Sequence, residues 1–207
     1  MEFGMRSAAP QSIATSTPGS DLPDAILVAR AQHDRRAVEP LYHRYFDAVF
    51  RFCFYRLGDW QDAEDATGDI FAKVIANLER FREDGREDAF RCWLFTIARN
   101  VVSNRRRDQV RHPIASLDGA DQLHDDAPTP EEAALAADDH SIVRALLARL
   151  SPSQRDLLEL RLIGLNDKEI ARVLDRSHDA VRKEQSRTIR ALRDFLAQNP
   201  EWGGSHV

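Results

Sequence analysis

Three clusters of side chains have the types and spacing to do chemistry or to make charged contacts. Asp62, Asp65 and Asp69 recur three and four residues apart, which puts three carboxylates on one face of a helix. A metal site needs converging ligands, and neither a His nor a second acidic cluster stands at matching spacing. The helix dipole favours negative charge in the first turn, but it does not account for Asp69 further along. The row therefore reads as a docking face for a partner. Asn100 and Asn104 lie one turn apart and are followed by Arg105, Arg106, Arg107 and Arg111. Cations suit a helix C-terminus, and amides followed by arginines also suit base-edge and phosphate contacts. Arg182, Lys183, Arg187 and Arg190 crowd the polar face of a third helix. Cys53 and Cys92 lack zinc-ligand or redox spacing and sit in apolar segments, so buried free thiols are expected. No nucleophile–base pair emerges either, which points away from an enzyme: no catalytic residue, metal or cofactor is expected.

Composition sets the frame for these clusters. The 207 residues leave room for one or two modest domains. With a formal net charge of -5, any nucleic-acid contact must come from local basic patches. No apolar run approaches the ~20 residues needed to span a bilayer, and residues 1–20 lack a signal pattern. A cytoplasmic, reducing setting without membrane insertion is expected. Residues 1–22 are rich in Ser, Thr, Ala and Pro and read as disordered, with Glu2-Phe3-Gly4 before Met5 suggesting a cloning scar at 1–4.

From Leu22 the pattern is helical. Ile26, Ala29 and His33 share one face of a first helix. Leu41, Tyr45, Val49, Phe52 and Arg56 recur at helical spacing after Pro40, which marks a helix start or a kink. The aromatic density from Tyr42 to Tyr55 is read as core packing. Gly58-Asp59 closes that helix and caps the next, where Ala63, Ala66, Ile70, Val74 and Leu78 form the apolar stripe. Gly68 inside this helix suggests close approach of another backbone. After a charged loop at 81–89, Phe90, Trp93, Leu94, Ile97 and Val101 line the helix that carries the asparagines and arginines.

Between Pro113 and Ser141 there is no Lys or Arg, while Asp and Glu recur, so this stretch reads as an extended acidic linker. Beyond it, Ser151-Pro152-Ser153-Gln154 and Asn166-Asp167-Lys168-Glu169 have capping-box spacing. Asp175-Arg176 makes a tight turn and Ser177 caps a long basic helix. A capped short helix, a tight turn and a basic second helix are how a recognition helix is presented to the major groove. Val181, Ile189, Leu192 and Leu196 are expected to face the core from that second helix.

Three motifs in this order resemble the extracytoplasmic-function group of bacterial RNA polymerase sigma factors, in the sigma-70 superfamily. DAEDATGDIFAKV resembles the group's core-binding helix, FRCWLFTIARNVVSN its −10-element helix, and residues 150–187 its −35-reading domain. Gly68 replaces a residue that is often Gln, Asp175 replaces a common turn Gly, and RKEQSR departs from the frequent recognition sequence. The resemblance implies that Asp62, Glu64, Asp65, Asp69, Ile70 and Lys73 bind the largest subunits of core polymerase. It implies that Arg91, Asn100, Ser103, Asn104, Arg105, Arg106 and Arg107 contact the −10 element, the 81–92 loop and the helix bearing Asn100 and Asn104 capturing an unstacked base and Arg105, Arg106 and Arg107 holding the backbone. It implies that Arg176, His178, Asp179, Arg182, Lys183, Ser186 and Arg187 contact the −35 element. Promoter DNA and an anti-sigma factor are the further partners it implies, and Trp93 is read as core before DNA.

The expected fold is all-α: two small helical domains joined by an extended acidic linker, the C-terminal one a helix-turn-helix domain. The boundaries are 23–112 for the first domain (sigma region 2), 113–140 for the linker, 141–198 for the second (sigma region 4) and 199–207 for a tail. The alternatives are a stand-alone helix-turn-helix regulator, which leaves the acidic and Asn-Arg helices unused, and a sigma mimic that sequesters an anti-sigma factor.

Overall fold

The structure, a computed structural model, describes residues 22–111, 147 and 149–198. The acidic linker, the N-terminal segment and the tail lie outside these residues. All regular structure among the described residues is helical. The elements are α1 (Asp24–His33), α2 (Glu39–Leu57), α3 (Trp60–Asn77), α4 (Ala89–Arg111), α5 (Pro152–Leu162), α6 (Asp167–Val173) and α7 (His178–Gln198), with 3-10 turns at Arg35–Val38 and Leu78–Arg80. No described helix is long and apolar enough to cross a membrane.

The helix ends follow from local chemistry. Pro40 sits in the first turn of α2, where its missing N–H costs nothing, and Gly58 ends the helix at φ +82° with its N–H on the Phe54 carbonyl. Asp59 then caps α3 by accepting from the Asp62 N–H. α2, α3 and α4 pack on one another around Leu41, Val49, Phe52, Ile70, Val74, Leu94 and Phe95, all fully buried. Phe52 and Phe95 meet edge to face with centroids 6.1 Å apart. α1 closes the bundle with Leu27, Val28 and Ala31, not with the Ile26–Ala29–His33 face expected from the sequence; Ile26 is 43% exposed. Gln32 on α1 donates to the Leu78 and Phe81 carbonyls at 2.9 and 3.0 Å, pinning the segment that leads out of α3. Gly68 is exposed, and a Cβ there would meet nothing within 4 Å, so no neighbouring element among the described residues approaches it closely.

The second domain forms around two complete capping boxes. Ser151 and Gln154 satisfy each other's backbone N–H at the start of α5, and Asn166 and Glu169 do the same for α6. Gly164, at φ +88°, turns the chain between them, and Asp175, at φ +52°, makes the turn into α7. The inner face of α7 is Val181, Thr188, Leu192 and Phe195, whereas Ile189 and Leu196 are 42% and 37% exposed. Two of the four expected core positions thus lie one residue round the helix from the buried stripe.

The two domains are not separate bodies. α5 packs on α2, and α6 packs on α4. Arg56 of α2 reaches Asp156 at 2.6 Å and also pairs with Glu159, both on α5. Arg99 of α4 reaches the same Asp156 at 3.2 Å. Arg91 of α4 donates to Glu169 at 3.2 Å, and Arg172 of α6 pairs with Asp88, which precedes α4. Glu169 thereby has two jobs: one oxygen caps α6 through the Asn166 N–H, and the other receives Arg91.

Candidate polymerase and nucleic-acid interfaces

On α3, Glu64, Asp65 and Asp69 are exposed, and Asp62 is half-buried in the first turn. The acidic row is therefore available to a partner. Ile70 is fully buried, which corrects its place among the contact residues: it holds α3 against the core, since it faces away from the acidic row. Beside the row runs a ridge that the sequence reading assigned wholly to the core. Phe46, Phe50 and Phe54 stack in i, i+4 steps with centroids 6.2 Å apart, and Trp60, 47% exposed, lies against Phe50 at 4.6 Å. Tyr42, 37% exposed, ends the ridge. Burial and the nearby Glu64 charge both raise its phenol pKa, which ties the ridge to the acidic row.

A cleft of about 340 Å³ opens where α3 runs alongside α4. Phe81 and Trp93 lie against each other with centroids 5.0 Å apart and planes at 46°. Phe90 meets Phe81 edge to face at 5.8 Å and so fixes its ring. Asn100 and Asn104 stand exposed at the rim, joined by Lys73, Asn77 and Arg80. Lys73, expected on the docking face, thus belongs to this cleft. Asn77 and Arg80 were missed by the sequence reading, whereas Phe81 heads the 81–92 loop that the family resemblance implicates, as a stretch, in base capture. Apolar rings for stacking, amides for edge hydrogen bonds and cations for phosphate are the equipment of a single-strand base pocket.

The arginines of α4 divide. Arg106 and Arg107 are exposed, with Arg107 Nε donating to the Ser103 carbonyl at 3.3 Å. Arg105 turns back to Asp69 at 2.5 Å. Arg91 is on a different face of α4 from the cleft, in contact with the second domain. Ser103 is half-buried. On α7, His178, Asp179, Arg182, Lys183, Ser186 and Arg187 are all exposed, so a continuous polar face is presented from the first turn onward. Arg176 is half-buried and donates to Ser153 Oγ at 2.7 Å, which ties the helix-turn-helix corner to the start of α5.

The interdomain contact contains the most perturbed acid. Glu159 is wholly buried, and its pKa is pushed up to about 7 by burial, partly offset by Arg56. Burial works against the Arg56 charge too, yet Glu159 and Asp156 hold its pKa above the ordinary guanidinium value. Cys53 and Cys92 are both buried and free, as expected. Burial pushes the Cys53 thiol up to about 12 and also raises that of Cys92. No group of His, Cys, Asp and Glu able to hold a metal is found among the described residues.

A helical bundle with an acidic face and a base-sized cleft, tied to a helix-turn-helix with an exposed basic helix, defines a promoter-recognition protein. Residues 41–112 match sigma-70 region 2. The chain is 34% identical over 182 residues to the ECF RNA polymerase sigma factor ShbA of Streptomyces griseus, covering 83% of this chain and 94% of ShbA. It is 32% identical over 173 residues to the ECF RNA polymerase sigma factor BldN of Streptomyces coelicolor, covering 82% of this chain; the match spans 64% of BldN's length. The solved structure of CnrH in complex with the cytosolic domain of CnrY shares the fold, with a TM-score of 0.66 at 23% identity over 86% of this chain and 99% of CnrH. The chain belongs to the extracytoplasmic-function sigma factors, the group that directs transcription initiation.

Proposed function

We propose that this sigma factor docks on core RNA polymerase through the acidic row Asp62, Glu64, Asp65 and Asp69. The −10 element is opened by α4 and its cleft, and the −35 element is read by α7. The observation that carries this reading is the cleft itself: paired rings with Asn100, Asn104, Lys73 and Arg80 at the rim. A base that leaves the stack costs a few kcal/mol of unstacking, and stacking in the cleft returns ~1–3 kcal/mol per base. Amide hydrogen bonds to the base edge then set which base is accepted. Arg106 and Arg107 hold the adjoining backbone, with Ser103 fixing the Arg107 side chain through its carbonyl.

The −35 contact is proposed to come from Arg182, Lys183, Ser186 and Arg187 in the major groove, with His178 and Asp179 in the first turn near base edges and Arg176 at the corner near phosphate. The chain does no chemistry of its own in this reading; nucleotide addition belongs to the core enzyme in the cytoplasm. An anti-sigma factor remains the regulatory partner that the family implies. Exposed base-reading candidates on both α4 and α7 favour this function over a mimic that needs only the sigma shape.

The test is reconstitution with core polymerase and sequencing of the transcripts made. A shared pair of upstream elements supports the proposal. Failure of the chain to co-elute with core polymerase overturns it.

A further inference from the structure

We propose that Gln185, on the inward side of α7, is a positioning residue for −35 recognition: its amide sets the tilt of the recognition helix on α5 and α6. This rests on the assignment of α7 to the −35 element.

The inner stripe of α7 runs through Val181, Gln185, Thr188 and Leu192, spaced as one helix face. Apolar side chains are the ordinary occupants of such a stripe, yet its second position is an amide. The start of α7 is fixed, because Val181 is fully buried and Ser177 caps the helix through the Ala180 N–H. One turn further on, the first inward group is Gln185, which is half-buried.

Its amide bridges two other elements. The NH2 group donates to Asp167 Oδ1, on the first residue of α6, and the carbonyl accepts from Arg161 of α5, both at 3.2 Å. Arg161 also pairs with Asp167 directly and donates to the Leu165 carbonyl at 3.1 Å, so it holds the loop that joins α5 to α6. One amide is thus clamped between a cation and its counter-ion. A cation or a carboxylate in its place satisfies one of the two; an amide satisfies both. The neighbouring polar side chains of α7 turn to their own helix instead. Ser186 and Thr188 donate to the Arg182 and Glu184 carbonyls at 3.1 and 2.8 Å, and Arg187 pairs with Glu184.

Direction is what the bridge adds. Apolar packing tolerates a small rotation of one helix on another, whereas hydrogen bonds to fixed partners weaken steeply with angle. An inward polar contact costs stability relative to apolar packing and selects one register in return. Here Arg161 Nε is buried without a hydrogen-bond partner, a further sign that the network is not there for stability. Arg182, Lys183, Ser186 and Arg187 flank Gln185 within one turn and are all exposed. Arg187 lies about 9 Å along the axis from Val181, so a tilt of ~10° moves it by ~1.5 Å, enough to break a base contact. The Gln185 amide is engaged by protein groups, which leaves base reading to these neighbours.

The test is transcription by reconstituted holoenzyme from a promoter library randomised across the −35 element, with thermal unfolding of each chain alongside. Gln185→Leu should melt at or above the wild-type temperature. It should nevertheless lose ~fivefold or more of the −35 preference, spread over every selected position because the contacts shift together. Gln185→Glu keeps a partner for Arg161 but turns a carboxylate on Asp167, so it should lose preference as well. Adding Asp167→Asn exchanges amide and carboxylate between the two positions and should restore it. Full preference in Gln185→Leu, or no recovery in the double variant, overturns the proposal. So does a loss that tracks a lowered melting temperature in both single variants, which marks a structural role only. A loss confined to one base position makes Gln185 a base reader and overturns its positioning role. Wild-type holoenzyme that initiates without any −35 preference sinks the assignment of α7 itself, whereas a wild-type preference indifferent to Gln185 sinks the positioning role alone.

Discussion

Asp69 of α3 and Arg105 of α4 form an ion pair at 2.5 Å, with side chains 54% and 29% exposed. The last carboxylate of the acidic row is thus the counter-ion of the first arginine in the cluster. The two surfaces are electrostatically joined at this point, and the effects of changing either residue are not independent.

Asp65→Lys should weaken core binding alone, whereas Asp69→Lys should weaken both core binding and −10 opening because it also repels Arg105. Exposed pairs of this kind contribute only ~0.2–1 kcal/mol, so both variants should melt near the wild type. Titration of core polymerase with labelled chain checks the first effect and permanganate footprinting the second. Wild-type affinity for Asp65→Lys would move the docking surface elsewhere.

Asn100→Ala and Asn104→Ala should fold normally, being exposed, with stability changes within about 0.5 kcal/mol. Each should reduce open-complex formation by an amount equivalent to ~1–3 kcal/mol of base discrimination. Phe81→Ala is less clean, because Phe81 is 7% exposed and its removal costs the bundle ~3–5 kcal/mol. Equal opening on promoters altered at each −10 position would remove the asparagines from base recognition.

Arg182→Ala and Arg187→Ala should cost ~1–3 kcal/mol on −35-dependent promoters if they reach bases; a phosphate contact by Lys183 should weaken all sequences alike and lower the salt slope by about 1. Binding isotherms across a salt series distinguish the two roles. A Lys183→Ala chain that changes sequence preference would reverse the assignment.

The contact between the two domains, closed in this structure by Arg56, Asp156 and Glu159, should depend on pH through Glu159. Its pKa in the closed form is pushed up to about 7, against an ordinary value of 4.5. The closed form therefore takes up the proton more readily. Its advantage is complete below about pH 4.5, declines as pH rises towards 7 and levels off above that. The groups facing Glu159 are Arg56 of α2 and its α5 neighbours Asp156 and Arg155. The distance between dyes on Glu83→Cys and Ala197→Cys, in a chain with Cys53 and Cys92 replaced by Ser, should be shorter at pH 6 than at pH 8, and Glu159→Gln should flatten the dependence. A longer distance at pH 6 would have the wrong sign.

Much of the framework was legible because it is local. The capping boxes at Ser151 and Asn166, the Gly58-Asp59 junction and the Asp175 turn each depend on a few adjacent residues, and each formed as read. Periodicity was less decisive where a helix is short or its cover runs out. The ten residues of α1 offer two apolar stripes, and packing chose Leu27–Val28–Ala31. In α7 the buried stripe passes through Thr188, and Ile189 beside it is left outside. The interdomain pairs were not legible: Arg56 and Glu159 are 103 positions apart, and although Arg56 falls in register with Leu41, Tyr45, Val49 and Phe52, nothing local names its partner. Phe81 became a cleft wall only once Phe90 and Trp93 were placed against it.

The two hydrogen bonds from Gln32 bear on how the protein can be cut into parts. Sigma-70 region 2 matches from residue 41, but Gln32 on α1 holds the carbonyls of Leu78 and Phe81, on either side of the bend that leads into the cleft. A fragment trimmed to the matched residues would keep every candidate DNA contact of α4 and lose the brace behind Phe81. Its helices would form, yet the ring would be free to swing and the cleft would lose its shape. The smallest faithful −10-reading fragment therefore includes α1, a helix that carries none of the candidate contact residues.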